Sequence, residues 1–190
     1  MRGTLIVMVK EPRPGRVKTR LGRGIGAVPA AWWYRHQCAR LLRRLRDPRW
    51  DMLLAVAPDR ALGARLWPGH LARVPQGCGD LGARMARLLR AAPGPACLIG
   101  SDIPGVLPRH IARAFALLGS HDAVFGPASD GGFWLVGAQH PERLPHGLFS
   151  GVRWSGEHAL SDSLATLPGH RIALADTLRD VDRAADLRRP

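Results

Sequence analysis

The residues best suited to chemistry by type and spacing stand near the N-terminus. Behind the apolar run TLIVMV (4–9) comes KEPRPGRVKTRLGRG (10–24), which carries six basic side chains and two prolines. Arg16, Lys18 and Arg20 fall at alternate positions, and on an extended stretch alternate side chains point the same way. One anionic group could therefore meet all three, and a triphosphate suits that geometry. Pro12 and Pro14 stiffen the segment, while Gly15 permits a close backbone approach. This composition predicts neither helix nor strand over 10–24. The alternative is a solvated basic loop, in which repulsion among the cations has no offset. No G-x-x-x-x-G-K-[ST] loop occurs, and Gly22, Gly24 and Ala27 lie too far from the strand for a dinucleotide fingerprint.

Three carboxylate positions could complement these cations. In GSDIPGV, Asp102 follows the apolar run ACLIG (96–100); a carboxylate there could be a hard-cation ligand, or it could cap the turn or the helix near 108. In GPASDGGFW, Asp130 precedes two glycines between two apolar runs, first of all a hairpin signal. In RDVDRAADLRR, Asp180 and Asp182 follow the last apolar run, where Asp182 could bind metal or cap a helix.

Positioning these residues requires a sheet. Short apolar runs at 4–9, 52–57, 96–100, 122–126, 133–137 and 171–175 are bounded by Gly, Pro or Asp, as buried strands are. Helical patterns lie between them. Tyr34, Cys38, Leu41, Leu42 and Leu45 share one face of a helix that stops before Pro48. Leu81, Met85, Leu88 and Leu89 follow Asp80, a predicted N-cap, and Ile111, Ala114, Phe115 and Leu118 follow Pro108. Alternating strands and helices predict an α/β fold with a mixed, mostly parallel sheet covered on both faces. The runs 122–126 and 133–137 are too closely connected for a crossover helix and predict one antiparallel or irregular excursion. In such a sheet ligands collect beyond the carboxyl ends of the strands, where the basic segment, Asp102 and the last acidic motif all stand.

The 190 residues read as one domain, 1–190, with 46% hydrophobic and 23% charged residues, which excludes disordered and fibrous classes. No apolar run approaches the ~20 residues of a membrane span, and the first residues are too short an apolar stretch for a signal peptide. A cytoplasmic location is the expectation. Cys38, Cys78 and Cys97 have no disulfide or zinc spacing and suit a reducing compartment. The net charge of +13 invites a nucleic-acid reading. Against it, all basic residues but Lys10 and Lys18 are arginines spread along the whole chain, as an Arg-favouring coding bias would produce. Both lysines fall in the opening segment, and Lys is a common point-charge ligand for phosphate. His110, His121 and His158 read as solvent-facing or satisfied in the core. Trp32, Trp33 and Tyr34 could form a homodimer face, with a core role preferred.

In order along the chain, KEPRPGRVKTRL, PQGCGDLGARM, LIGSDIPGVLPRHIARAFALL, DAVFGPASDGGFWLVG, LFSGVRWS and DVDRAADL resemble the DUF2064 family of the GT-A nucleotide-diphospho-sugar transferase superfamily. Relatives of that family include molybdenum-cofactor and phospholactate nucleotidyltransferases. The resemblance implies a three-layer α/β/α, GT-A-like sheet. It implies a nucleoside triphosphate or sugar nucleotide as substrate, a small-molecule acceptor, and Mg²⁺ or Mn²⁺ as cofactor. Lys10, Gly15, Arg16, Lys18 and Arg20 would hold the phosphates, with Pro12-Arg13-Pro14-Gly15 departing from the Gly-rich entry of sugar nucleotidyltransferases. Gln76, Gly77, Gly79 and Asp80 would face base and ribose. Asp130, Gly131, Gly132, Trp154 and Ser155 would face the acceptor or sugar. Asp102 and Asp182 would hold the metal, although Arg183-Ala184-Ala185 replaces the T-P-E of the superfamily's ending. Lys18, Arg20 and Asp102 are the implied catalytic residues, acting in an in-line displacement at phosphorus. Nucleotidyl transfer, glycosyl transfer from a nucleotide sugar, a non-catalytic nucleotide-binding role and a basic nucleic-acid-binding role are the readings that stay open.

Overall fold

A computed structural model describes residues 2–179, 181, 184 and 186. Seven strands form one sheet: β1 (Gly3–Lys10), β2 (Trp50–Ala57), β3 (Ala72–Pro75), β4 (Ala96–Gly100), β5 (Ala123–Pro127), β6 (Phe133–Ala138) and β7 (Ile172–Leu174), in the order β3-β2-β1-β4-β6-β5-β7. The pairs β1–β2, β1–β4, β2–β3 and β5–β7 are parallel. Only β6 runs antiparallel to its neighbours, because the chain returns from β5 through the tight Asp130–Gly132 turn and enters the sheet between β4 and β5. The predicted α/β class and the irregular excursion are both present.

Five helices accompany the sheet: α1 (Thr19–Ile25), α2 (Ala27–Arg44), α3 (Leu81–Arg90), α4 (Pro108–Leu118) and α5 (Ala159–Ala165). Alternation along β1 sends Leu5, Val7 and Val9 to one face and Ile6 and Met8 to the other. On the first face they pack with Leu41 and Leu45 of α2 and Ile111 and Leu118 of α4. On the second they meet Met85 and Leu89 of α3, Phe149, and Ala159 of α5. Each fully buried aliphatic or aromatic side chain contributes roughly 1.5–3 kcal/mol of transfer free energy, so both faces of the central strands are strongly held. Among the described residues no helix is long and apolar enough to cross a membrane.

Several expectations are corrected. Residues 10–24 are not wholly irregular: Thr19–Ile25 form α1 despite two glycines, because Leu21 is fully buried and anchors the turn. The edge strand β3 (ARVP) has no apolar run to announce it, and the short α5 shows only Leu160 and Leu164 one turn apart, continued by Leu167 beyond its end. Trp32 is not a core residue but 62% exposed, stacked on His36, whereas Tyr34 is buried.

Candidate active site at the ends of β1 and β4

The chain leaves β1 toward β2 on one side of the sheet, and β4 lies on the other. The rim between the carboxyl ends of β1 and β4 is therefore the topological switch point, where open α/β sheets leave a crevice. A cleft of about 710 Å³ lies there.

Its floor is fixed by a hydrogen-bonded bridge. The Tyr34 hydroxyl of α2 accepts from the Lys10 amide (2.9 Å) and shares a hydrogen bond of 2.7 Å with Ser101 Oγ, so one buried side chain ties the end of β1 to the end of β4. Burial pushes the Tyr34 phenol above its ordinary range, which keeps it a neutral hydrogen-bonding group. Beneath it, burial and the charge of Asp102 push the Cys38 thiol up to about 12.

Between Glu11 and α1 the backbone folds through a turn at 14–16 instead of extending. Val17 is buried against Ala31 and Tyr34. Lys18 then takes a left-handed conformation (φ 46°) at the start of α1. This path sends the Lys18 side chain inward to 7% exposure, where Nζ meets Asp102 Oδ2 at 2.7 Å. Thr19 and Arg20 also line the cleft. The expected alternation of three cations on one side fails for the same reason. Arg16 and Gly15 are exposed and do not line the cleft, because the turn intervenes between them and Lys18.

Asp102 follows β4 with its side chain 36% exposed. The capping alternative is set aside, because the cap of α4 is Leu107, whose amide donates to His110 Nδ1 (3.2 Å). Among the described residues no group of three or more His, Cys, Asp or Glu side chains could hold a metal ion. Val181 donates its amide to the Asp102 carbonyl at 3.4 Å, while Asp180 and Asp182 lie outside the described residues.

The remaining candidates divide. Gln76 lines the floor, but its amide nitrogen donates to the carbonyls of Val9 (3.1 Å) and Ala55 (2.8 Å), bracing the ends of β1 and β2. Gly77 does not line the cleft; the Arg87 guanidinium occupies the space where its side chain would stand. Gly79 and Asp80 line the cleft, and Asp80 caps α3 by accepting from the Ala83 amide at 2.8 Å. Asp130, Gly132, Trp154 and Ser155 form the far side. Gly131 instead packs on the Glu157 backbone, and Asp130 Oδ1 accepts from the Gly132 amide at 3.0 Å.

Sequence reasoning missed Arg84, which with Leu81 and Met85 makes the cleft-facing stripe of α3 at i, i+3, i+4 spacing. Its Nε donates to the Gly79 carbonyl at 2.9 Å. It also missed Ser101 and Phe133. Nothing in the sequence separates Arg84 from the other arginines, whereas its place one turn after the Asp80 cap becomes informative once α3 is set beside the sheet.

Among the described residues the lining thus carries four cations (Lys10, Lys18, Arg20, Arg84) and three carboxylates (Asp80, Asp102, Asp130), and no histidine. Asp80 is engaged as a cap and Asp102 by Lys18; Lys10, Lys18 and Arg20 gather at the end at β1 and α1, a setting that attracts a multiply charged anion.

The architecture has solved counterparts. A protein from Desulfovibrio desulfuricans G20, named a "putative nucleotide-diphospho-sugar transferase", is 29% identical, with 98% of this chain and 85% of that one covered and a TM-score of 0.84. Rv0371c from Mycobacterium tuberculosis H37Rv, solved as a manganese complex, is 14% identical, with 99% and 97% covered and a TM-score of 0.52. The 2-C-methyl-D-erythritol 4-phosphate cytidylyltransferase of Thermus thermophilus is 17% identical, with 98% and 96% covered and a TM-score of 0.54. No curated protein sequence matches the chain. The fold is that of the GT-A-like nucleotidyltransferases. Residues 41–156 match the family described as "Uncharacterized protein conserved in bacteria (DUF2064)", and the chain belongs to that family.

Proposed function

We propose that this protein is a divalent-metal-dependent nucleotidyltransferase that moves a nucleoside monophosphate from a nucleoside triphosphate to a small, phosphorylated acceptor. The observation that carries the reading is the meeting of Lys18 and Asp102, far apart in sequence, at 2.7 Å on the rim of the switch-point cleft. A phosphate-binding cation and a cation-binding carboxylate side by side are what a metal–polyphosphate complex needs.

The residues present fit Mg²⁺ or Mn²⁺. Asp102 is a hard oxygen donor, partly open to the cleft beside the cationic end, and such ions are commonly held by one or two carboxylates together with substrate phosphates. Asp102 would hold the ion, which when bound supplies Lewis-acid polarisation of phosphate oxygens. The chain's own side chains do the rest. Lys18 and Arg20 orient the triphosphate and neutralise charge on the leaving group. An acceptor oxygen forms its bond to the α-phosphorus as the bond to the β-phosphate oxygen breaks, and the electron pair leaves with pyrophosphate. A phosphate acceptor is already ionised and needs no general base, in keeping with a lining free of histidine among the described residues. The three free cysteines fit a reducing, cytoplasmic setting.

Glycosyl transfer from a nucleotide sugar is the second reading, favoured by the name of the Desulfovibrio relative. Incubation with each NTP, Mg²⁺ and a panel of phosphorylated acceptors, with pyrophosphate release followed, separates the two. Pyrophosphate that depends on acceptor and metal is expected. Transfer from a nucleotide sugar without pyrophosphate from any NTP would replace this reading with the second, and nucleotide binding without turnover would leave a non-catalytic binder.

A further inference from the structure

The end of the cleft away from Lys18 has a different chemistry. Phe133 at the start of β6 and Trp154 are both half-buried and both line the cleft. They belong to a ring cluster with Phe125 and Phe149, with centroid separations from 5.1 to 6.2 Å. Beside them α3 contributes Leu81 and Met85, and Leu81 is 46% exposed at the lip. A large aliphatic side chain left open to water beside half-covered aromatic rings makes an apolar wall without a partner.

The indole of Trp154 adds an independent observation. Its Nε1 is buried and has no hydrogen-bond partner among the described residues, although a buried indole N–H normally finds an acceptor. The ring is wedged on Gly82, where a Cβ would stand 2.8 Å from Trp154 Cζ2 and 2.7 Å from Phe149 Cβ. The packing holds an orientation that sacrifices a donor and leaves the ring as the surface it offers to the cleft. Asp130 and Ser155 supply a polar rim beside it.

We propose that this half of the cleft selects an acceptor whose body is a ring or hydrocarbon unit with an apolar face, laid against Leu81 and the Phe133–Trp154 rings, in preference to an open-chain polyol phosphate. The inference rests on the transferase reading for calling the ligand an acceptor, but the stacking site itself can be tested without turnover.

The probes are 1-naphthyl phosphate and glycerol 3-phosphate, titrated calorimetrically into the wild type with and without saturating Mg²⁺–NTP. Naphthyl phosphate is expected to bind about tenfold or more tightly than glycerol 3-phosphate, the scale of one stacked ring. Leu81→Ser and Trp154→Ala should each shrink that preference, and Trp154→Phe should retain most of it. Leu81 is exposed, so Leu81→Ser keeps the test valid if Trp154→Ala does not fold. Equal affinity for the two probes, or a preference untouched by Leu81→Ser, would overturn the inference. Failure of every NTP to bind the wild type would instead remove the nucleotidyltransferase reading, and the titrations without NTP would still decide the stacking site.

Discussion

A lysine ammonium held at 7% exposure against a carboxylate is placed by backbone geometry more than by its own flexibility. Val17 is locked in the core, Lys18 turns left-handed, and the side chain has one direction to go. Arg at this position would bring a planar fork into a slot shaped for a compact charge. Lys18→Ala is expected to lower kcat by ~10²–10³-fold, the usual scale for removing one group that stabilises transition-state charge. Lys18→Arg should recover little of it. Pyrophosphate release under saturating substrates measures both, and full activity in Lys18→Arg would show that only the charge matters. The scarcity of lysine singles out Lys18 in the sequence and its place just past an apolar strand singles out Asp102, and the fold brings the two together. Arg16 was misread because the turn at 14–16 breaks the alternation that an extended segment would have kept. Gln76 lies on the cleft floor but spends its amide on Val9 and Ala55, an engagement that depends on how β1, β2 and the segment after β3 converge, which no local pattern encodes.

At the scale of the element, α4 shows how a helix start can carry a titratable cap. His110 sits in its first turn, 7% exposed, accepting from the Leu107 amide. Burial, followed by the charge of Arg109, lowers its pKa, with Asp176 opposing. Protonation would also remove the acceptor lone pair and set a cation at the positive end of the helix dipole. A histidine with a depressed folded pKa favours the fold above its unfolded value of about 6.5, and that contribution is lost as pH falls through the window below it. The melting temperature should therefore drop as pH falls below about 6.5, and His110→Asn, which keeps an acceptor that does not titrate, should flatten that drop. An identical slope in the variant would show that other groups carry the acid sensitivity. α2, α3 and α4 were legible because each has an apolar stripe and a start or stop signal. α1 and α5 were not, because each is seven residues long and held by one or two buried side chains whose partners are distant in sequence.

At the scale of the whole molecule, the net charge of +13 looks like a device for nucleic acid until the arginines are followed to their partners. Arg44 clips the carbonyls of Pro104 and Val106, Arg73 those of Leu62, Trp67 and Pro68, Arg87 those of Gln76 and Cys78, and Arg90 those of Pro145 and His146. Others pair with acids at the surface, as Arg49 does with Asp47 and Arg153 with Asp162. Much of the charge is thus engaged by the molecule's own loops, while the cleft gathers cations from three separate elements, the end of β1, α1 and α3. Generic attraction to DNA or RNA should then be a diffuse counterion effect that fades steeply with salt, whereas a nucleotide seated against Lys18 and Arg84 is screened less because the Lys18 side chain is enclosed and Arg84 is half-buried. Duplex DNA retained at about 0.02 M salt should be released by about 0.15 M, under conditions where Mg²⁺–NTP still binds beside the enclosed Lys18 and where the NTP does not compete for the DNA. DNA that stays bound above that range and is displaced by NTP would mean that the cleft itself is a nucleic-acid groove. The division into a nucleotide end and an acceptor end would then have to be abandoned.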